Sequence, residues 1–124
     1  YFLSLDEGKL IVSHAAWKEV AGAKDCFDKK YRTWSLYGPT RGTLENGMPD
    51  RIDWAKERVV DENSPIIVCG HQPVKNVRLN NKVYQIDTGC VFGGYLTCLI
   101  YPELEIVQVK AHEAYEKECS WWEN

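Results

Sequence analysis

Two short apolar runs that each end on a histidine constrain this chain more than any other feature. The first is Leu10-Ile11-Val12-Ser13, followed by His14; the second is Ile66-Ile67-Val68-Cys69-Gly70, followed by His71. Continuous β-branched runs of about four to eight residues, bounded by turn-forming residues, read as buried strands. A strand is rigid and the loop after it is open, so a side chain at that junction is held accurately and stays accessible. An imidazole placed there can ligate a divalent metal or shuttle a proton. It can equally be a hydrogen-bonded loop histidine, because strand-then-histidine is not by itself a specific motif.

The other elements are arranged around these two strands. Residues 9–13 and 65–70 are the expected buried strands. Residues 74–79 and 83–86 read as a hairpin turning at Asn80-Asn81, and 95–101 with 105–109 as a second strand pair interrupted at Pro102. The first half is poorer in strand signal. It offers short helical stretches over 24–31 and 53–60, the latter with Asp53 as N-cap, and loops at 38–42 and 45–49. The expected fold class is α+β, one mainly antiparallel or mixed sheet with covering helices. The charged, aromatic tail over 111–124 is expected to be helical or loosely docked.

Composition narrows the function classes. The 124 residues make one domain or part of one, and 44% hydrophobic with 27% charged residues excludes disorder along the whole chain. Fifteen Lys and Arg against 18 Asp and Glu give a net charge of −3. There is thus no basic stripe to displace counterions from a nucleic-acid backbone, and a phosphate-bearing substrate has to be held locally. The longest mostly apolar run, 90–101, falls short of the ~20 residues that span a bilayer, so no membrane partner is expected. The first residues carry no basic n-region of a signal peptide. The chain begins at Tyr1 and its single methionine is Met48, so a segment of a longer protein is expected. Five cysteines, Cys26, Cys69, Cys90, Cys98 and Cys119, follow no paired spacing, which points to a reducing, cytoplasmic setting. Cys69 and Cys98 read as small core residues, and a zinc knuckle from Cys69, His71 and Cys90 is the alternative.

Several residues near the histidines bear on chemistry. In Gly70-His71-Gln72-Pro73-Val74, glycine permits a sharp turn and proline fixes the exit. Asp87, in Ile86-Asp87-Thr88-Gly89-Cys90, ends another strand 16 residues after His71, a spacing that a hairpin folds back into proximity. Its alternative role is to cap the Thr88-Gly89 backbone. Gly93-Gly94 is either a phosphate-approaching loop or a tight turn. Arg41, in Thr40-Arg41-Gly42, can clamp an anion or stand solvated. The tryptophans Trp17, Trp34, Trp54, Trp121 and Trp122 read as core or surface anchors, and His112 as solvated.

Together these segments resemble the C-terminal half of a calcineurin-like metallophosphoesterase. Leu10-Ile11-Val12-Ser13-His14-Ala15-Ala16 looks like the family's strand followed by His-Ala-Gly, and Gly70-His71-Gln72-Pro73-Val74 looks like Gly-His-Thr-Pro-Val. The run from Ile86 to Thr97 is similar to the phosphatase module of bacterial polynucleotide kinase-phosphatases and to bis(5′-nucleosyl)-tetraphosphatase-like enzymes. Leu36 to Gly42, Gly47-Met48-Pro49 and Trp54-Ala55 fit the same branch, and the likeness runs to about Val109.

That resemblance implies half of a four-layered αββα sandwich, with residues 1–110 as the C-terminal portion of the domain and 111–124 as a tail. It implies two divalent ions, manganese first and iron, zinc or nickel as alternatives. His14 and His71 correspond to metal ligands, Asp87 to an acidic residue of the site, and Arg41 is the candidate for the substrate phosphate. The family's Asp-x-His, Gly-Asp-x-x-Asp and Gly-Asn-His motifs do not occur in the chain, and Gln72 and Ala16 replace the usual Thr and Gly. The expected function is therefore that of a segment of a metal-dependent phosphoesterase, acting on nucleotide, polynucleotide-end or phosphoprotein esters and inactive alone. Its expected partners are a phosphate-ester substrate and the remaining half of the domain or a self-associating copy. A non-catalytic binding module that retains the fold is the alternative.

Overall fold

The computed structural model describes residues 1–117, and Cys119, Trp121 and Trp122 lie outside the described residues. Its centre is a five-stranded mixed sheet. In chain order the elements are β1 (Phe2–Leu5), β2 (Leu10–Ser13), α1 (Arg32–Tyr37), β3 (Thr40–Thr43), β4 (Pro49–Arg51), α2 (Trp54–Glu57), β5 (Ile66–Cys69), β6 (Arg78–Asn80), β7 (Val83–Gln85), β8 (Tyr95–Ile100) and β9 (Glu105–Lys110). The main sheet has the order β1-β2-β5-β7-β6. β2, β5 and β7 run parallel, and β1 and β6 close the edges antiparallel. The α+β expectation holds, with β3–β4 and β8–β9 added as two-stranded ribbons.

The register of the parallel strands builds the core. Ile11 pairs with Ile67 and Ile67 with Val83, so three almost fully buried side chains form one row across the sheet. Ala16, Trp54, Ala55 and Cys69 join this row, with Phe2, Trp17, Trp34 and Ile52 packed against it. A pair of helical segments covers that face. α2 is only one turn long, and the hairpin β6–β7 holds it: Asn81 Nδ2 donates to the carbonyls of Ala55 and Lys56, both at 2.9 Å.

Several boundaries differ from the sequence reading. β1, Phe2-Leu3-Ser4-Leu5, is an edge strand that the sequence reading did not assign; it is apolar in sequence but only Phe2 is partly buried. The helical stretch expected over 24–31 begins later. Asp25 and Asp28 accept bonds from the backbone N–H groups of Phe27, Lys24 and Lys30, which stabilises turns first. A 3-10 turn at Lys29–Tyr31 then leads into α1. The loops expected at 38–42 and 45–49 are the strands and turn of the β3–β4 hairpin, whose turn is closed by Leu44 N–H to Met48 O at 2.8 Å. All four residues of β3 are exposed, so no hydrophobic alternation marks it. The second hairpin turns at Asn81-Lys82, one residue later than expected. Asn80 pairs with Val83, and the two turn residues take φ of 46° and 62°, the left-handed pair of a type I′ turn.

Asp53 does not cap α2 with its side chain. Its carboxylate binds Arg78 at 2.8 Å and Lys56 at 3.4 Å, tying the start of α2 to β6. Cys98 is exposed on β8, not in the core, whereas Cys69 is buried. On the β8–β9 ribbon, Leu96, Cys98, Ile100, Val107 and Val109 share one face by register and are all exposed. The start of the tail docks: the Tyr115 and Glu116 N–H groups donate to Val91 O, and Ala114 bridges to Phe92. Gly93 sits at φ +83°, and a Cβ there would lie 3.2 Å from the Cβ of Ala114. Gly93-Gly94 is thus a tight turn against the tail, with its N–H groups bonded to Cys90 O and Gly89 O.

Two predictions follow from this packing. Burial alone would raise the Asp53 carboxyl, but Arg78 and then Lys56 outweigh it and hold the group below its ordinary value of 3.8. The stabilisation is then fully present above pH 3.8 and is lost as the pH falls through the lower folded value. Asp53→Asn is expected to cost about 0.5–1 kcal/mol at neutral pH, given its partial exposure. Urea titrations of both proteins should converge toward pH 2–3, roughly below the carboxylate range; a constant gap across pH would contradict the assignment. Burial also pushes the Cys69 thiol up to about 12. A thiol reagent should therefore label Cys98 rapidly in the native chain and Cys69 only on unfolding, as read by peptide mass spectrometry.

Candidate functional site

Parallel pairing delivers the ends of β2, β5 and β7 to the same edge of the sheet. The ladder continues past the strands, with Gly70 N–H donating to His14 O at 2.8 Å and Ile86 N–H to Cys69 O at 2.9 Å. His14, His71 and Asp87 therefore line one open cleft of about 370 Å³, together with Gly70, Thr88 and Tyr95. Crevices at the carboxyl ends of parallel strands are the usual ligand sites of such sheets.

Local geometry aims each side chain. After β2, Ser13 Oγ donates to Ala16 O at 2.7 Å and Ala15 N–H to Ser35 O at 2.8 Å, fixing the turn that carries His14. After β5, His71 takes φ +69°, a left-handed backbone that costs a non-glycine residue roughly 1–2 kcal/mol. Gly70 provides room: a Cβ there would lie 3.3 Å from the Cβ of Asp87 and 3.8 Å from His14 O. Val74 N–H then returns to Asp87 O at 2.9 Å, so the loop after His71 and the end of β7 are joined.

The result is an imidazole pair. His14 Nε2 and His71 Nδ1 are 3.0 Å apart, with ring centroids at 4.8 Å. As neutral rings, one nitrogen donates and the other accepts. Two nitrogens each about 2.0–2.1 Å from a single ion are separated by roughly 3.0–3.4 Å when bound side by side. The observed separation lies at the near end of that range, so the pair fits as two ligands of one metal ion. Among the described residues, however, no group of three or more His, Cys, Asp and Glu is arranged to hold a metal. The fit is that of a partial shell.

Charge around the pair favours neutral imidazole at His71. Burial of the ring, then the positive charge of Arg51 and His14, hold it below the ordinary imidazole range, against the pull of the Asp87 carboxylate. Asp87 Oδ1 also accepts from Gly89 N–H at 3.2 Å, so the turn-capping role and the place in the cleft coexist. Cys69 sits in the core cluster, and no group of three or more His, Cys, Asp and Glu among the described residues is arranged to hold a metal, which opposes a zinc site from Cys69, His71 and Cys90.

The two arginines of the β3–β4 ribbon differ in their partners. Arg41 Nη2 binds Glu57 Oε1 at 2.7 Å, and the ion pair occupies its guanidinium on the α2 side. Arg51, which sequence reasoning passed over, donates from Nη1 to Tyr37 O at 2.8 Å and brings Nη2 to 3.4 Å from His71 Nε2. No local signal marks it, since its position depends on how an exposed ribbon crosses the sheet edge.

Comparison with known proteins gives the family. No protein-family model matches the chain. A bis(5′-nucleosyl)-tetraphosphatase PrpE (asymmetrical) of a Geobacillus strain is 43% identical over 118 residues, 94% of this chain and 46% of that protein. Proteins of the same name from Bacillus cereus and Anoxybacillus flavithermus are 50% and 44% identical over 107 and 115 residues, covering 85% and 92% of this chain. The chain spans less than half the length of these relatives, 41–46%. With identity at this level running along nearly all of its own residues, the chain belongs to the calcineurin-like phosphoesterase family of these bacterial proteins.

Proposed function

We propose that this chain is the C-terminal portion of a metal-dependent phosphoesterase that hydrolyses phosphate esters, with dinucleoside polyphosphates as the first candidates. Residues 1–110 form its share of the domain, half of a four-layered sandwich, and 111–124 form a tail. The observation that carries this reading is the pair His14 Nε2 and His71 Nδ1, 3.0 Å apart at the ends of two parallel strands. The relatives' name supplies the substrate class.

His14 and His71 each contribute one nitrogen to a divalent ion, manganese first. Such an ion, when bound, neutralises phosphate charge and activates water. The neutral state favoured at His71 leaves a lone pair for that role. Asp87 brings a carboxylate to the same cleft, where its charge offsets the cations around the phosphate. Arg41, paired with Glu57 through Nη2, keeps further N–H donors and is the candidate for the substrate phosphate. Two imidazoles and one carboxylate do not fix two ions, so the remaining ligands come from the rest of the longer protein. The open apolar face of β8–β9 supports the same reading, because a stable protein covers such a face with its own chain or a second copy.

No helix among the described residues is long and apolar enough to cross a membrane. Free thiols at Cys26, Cys69, Cys90 and Cys98 support a reducing cytoplasm as the compartment. A non-catalytic binding module is the second reading, favoured by the same partial shell.

Manganese-dependent hydrolysis of p-nitrophenyl phosphate tests the proposal. The isolated 124-residue chain is expected to show no activity above its His71→Ala variant. Supplied with the N-terminal half of a relative, it should gain manganese-dependent activity. His71→Ala should then reduce that activity by about 100-fold or more, since losing an outer-shell partner alone costs about 10–100-fold. Activity of the isolated chain that vanishes in the variant would overturn the partial-site assignment. Silence of the reconstituted pair would favour the binding module.

A further inference from the structure

We infer that the cavity walled by Trp17, Trp34 and Trp54 is the seat of a nucleobase, holding the nucleoside end of a substrate whose phosphate lies at the strand-end cleft. The link to the cleft rests on the phosphoesterase reading; the cavity itself does not. It has a volume of about 620 Å³, against about 370 Å³ for the cleft. Small-molecule sites run from roughly 300 to 1,000 Å³. The three indoles come from the segment after β2, from α1 and from the start of α2, and the fold brings them to one place. Trp34 meets Trp54 edge to face, with ring centroids at 6.1 Å. Trp17 follows His14 by three residues, at most about 10 Å of chain, so this wall adjoins the edge where the cleft opens.

Three properties select a flat, uncharged ligand that carries hydrogen-bond acceptors. The first is open ring surface. Trp17 and Trp34 are half-buried, and Lys18 Nζ, 4.5 Å from the Trp34 centroid, already uses one ring face. The second is charge. Lys18 and Arg58 line the cavity against Glu19, Glu57 and Asp61. Arg58 is committed to Asn81 O and Pro65 O at 2.8 and 3.0 Å, and Glu57 to Arg41 at 2.7 Å. That near balance suits a neutral group better than a phosphate or a metal ion. The third is a pair of orphan donors. Trp17 Nε1 and Trp54 Nε1 are buried with no hydrogen-bond partner among the described residues, and Trp54 is only 5% exposed. Buried indole N–H groups ordinarily find an acceptor. A base edge carries ring-nitrogen and carbonyl acceptors, whereas an aliphatic ligand would leave both donors orphaned. The far wall is set beforehand: Lys82 Nζ holds the carbonyls of Asp61 and Ser64 at 2.8 and 3.0 Å. Less chain freedom is then lost when a ligand binds.

Adenosine, which has a base and no phosphate, and the purified, metal-free chain provide the test. Binding is followed by nitrogen-proton NMR of the indole signals in wild type, Trp17→Leu, Trp17→Phe and Tyr115→Leu. Adenosine is expected to shift the Trp17, Trp34 and Trp54 signals saturably, whereas ribose 5-phosphate leaves them in place. Trp17→Leu keeps apolar bulk but loses the stacking face, and should weaken the affinity roughly tenfold, the scale of one base–aromatic stack. Trp17→Phe should recover part of that loss. Tyr115 is an exposed aromatic outside the cavity, so Tyr115→Leu should bind as wild type does. If Trp17→Leu perturbs folding by circular dichroism, Trp17→Phe and the wild-type shifts decide. Unchanged affinity in folded Trp17→Leu, or no saturable shift in wild type, would overturn the inference. So would an equal response to tetramethylammonium, which would make the cavity a cation cage. A parallel manganese titration, read by broadening of the His14 and His71 signals, separates the two claims. Broadening without adenosine binding sinks this inference alone; adenosine binding without broadening sinks the metal reading alone.

Discussion

The parallel register of β2, β5 and β7 is the constraint on which the rest of the molecule depends. Ile11, Ile67 and Val83 lie in one buried row only when the three strands are aligned as observed. A slip of one residue in any of them would turn that strand's apolar set to the opposite face. The same alignment decides chemistry, because it fixes which residues reach the carboxyl edge together. His14 and His71 are 57 residues apart in sequence and meet there at 3.0 Å. The hydrophobic row and the imidazole pair are thus two ends of one registration: what makes the core dry also makes the site converge.

Convergence brings local strain that the surroundings must hold. His71 keeps a left-handed backbone, and its loop is fastened on both sides, by Gly70 N–H to His14 O and by Val74 N–H to Asp87 O. Strained residues persist where neighbouring structure over-determines them, and such places cluster at functional sites. Gly70 belongs to the same device. A Cβ at residue 70 would lie 3.3 Å from that of Asp87, so the end of β7 would have to give by a few tenths of an ångström to admit one. The cleft depends on close backbone approach as much as on the side chains that line it.

Legibility from sequence followed burial. β2 and β5 were readable because both faces of each strand are covered, which writes a continuous apolar run into the chain. His14 and His71 were readable because each stands at the end of such a strand, and Asp87 because it follows the second strand of the expected hairpin. β3, fully exposed, had no pattern to betray it, and residues 38–42 accordingly read as a loop. The hairpin at Asn81-Lys82 was located to within one residue, since either Asn could take the left-handed turn. The structure prefers Asn81, whose amide also holds α2. Arg41 and Arg51 show the limit most clearly. Both stand on the same ribbon, and nothing local distinguishes them; only the crossing of that ribbon over the sheet edge gives one Glu57 and the other His71.

Two unfinished features of the chain have one physical resolution under the proposed function. The cleft has two imidazoles where a metal site needs more donors. The β8–β9 ribbon presents Leu96, Val107 and Val109 to solvent on a single face, with exposures of 65%, 49% and 62%. Each is costly by itself: a partial shell holds an ion weakly, and an open apolar face favours association. Separate partners could answer each need, but that would require two unrelated interfaces on a small domain. Leu96 links the two regions: it belongs to the exposed face of β8–β9 and also lines the cleft. A single body laid on the ribbon would therefore bear on the cleft as well, so covering the face and completing the shell would be coupled events. On that view metal affinity and ribbon burial rise together, because the contacts that dry Val107 and Val109 also position the remaining ligands.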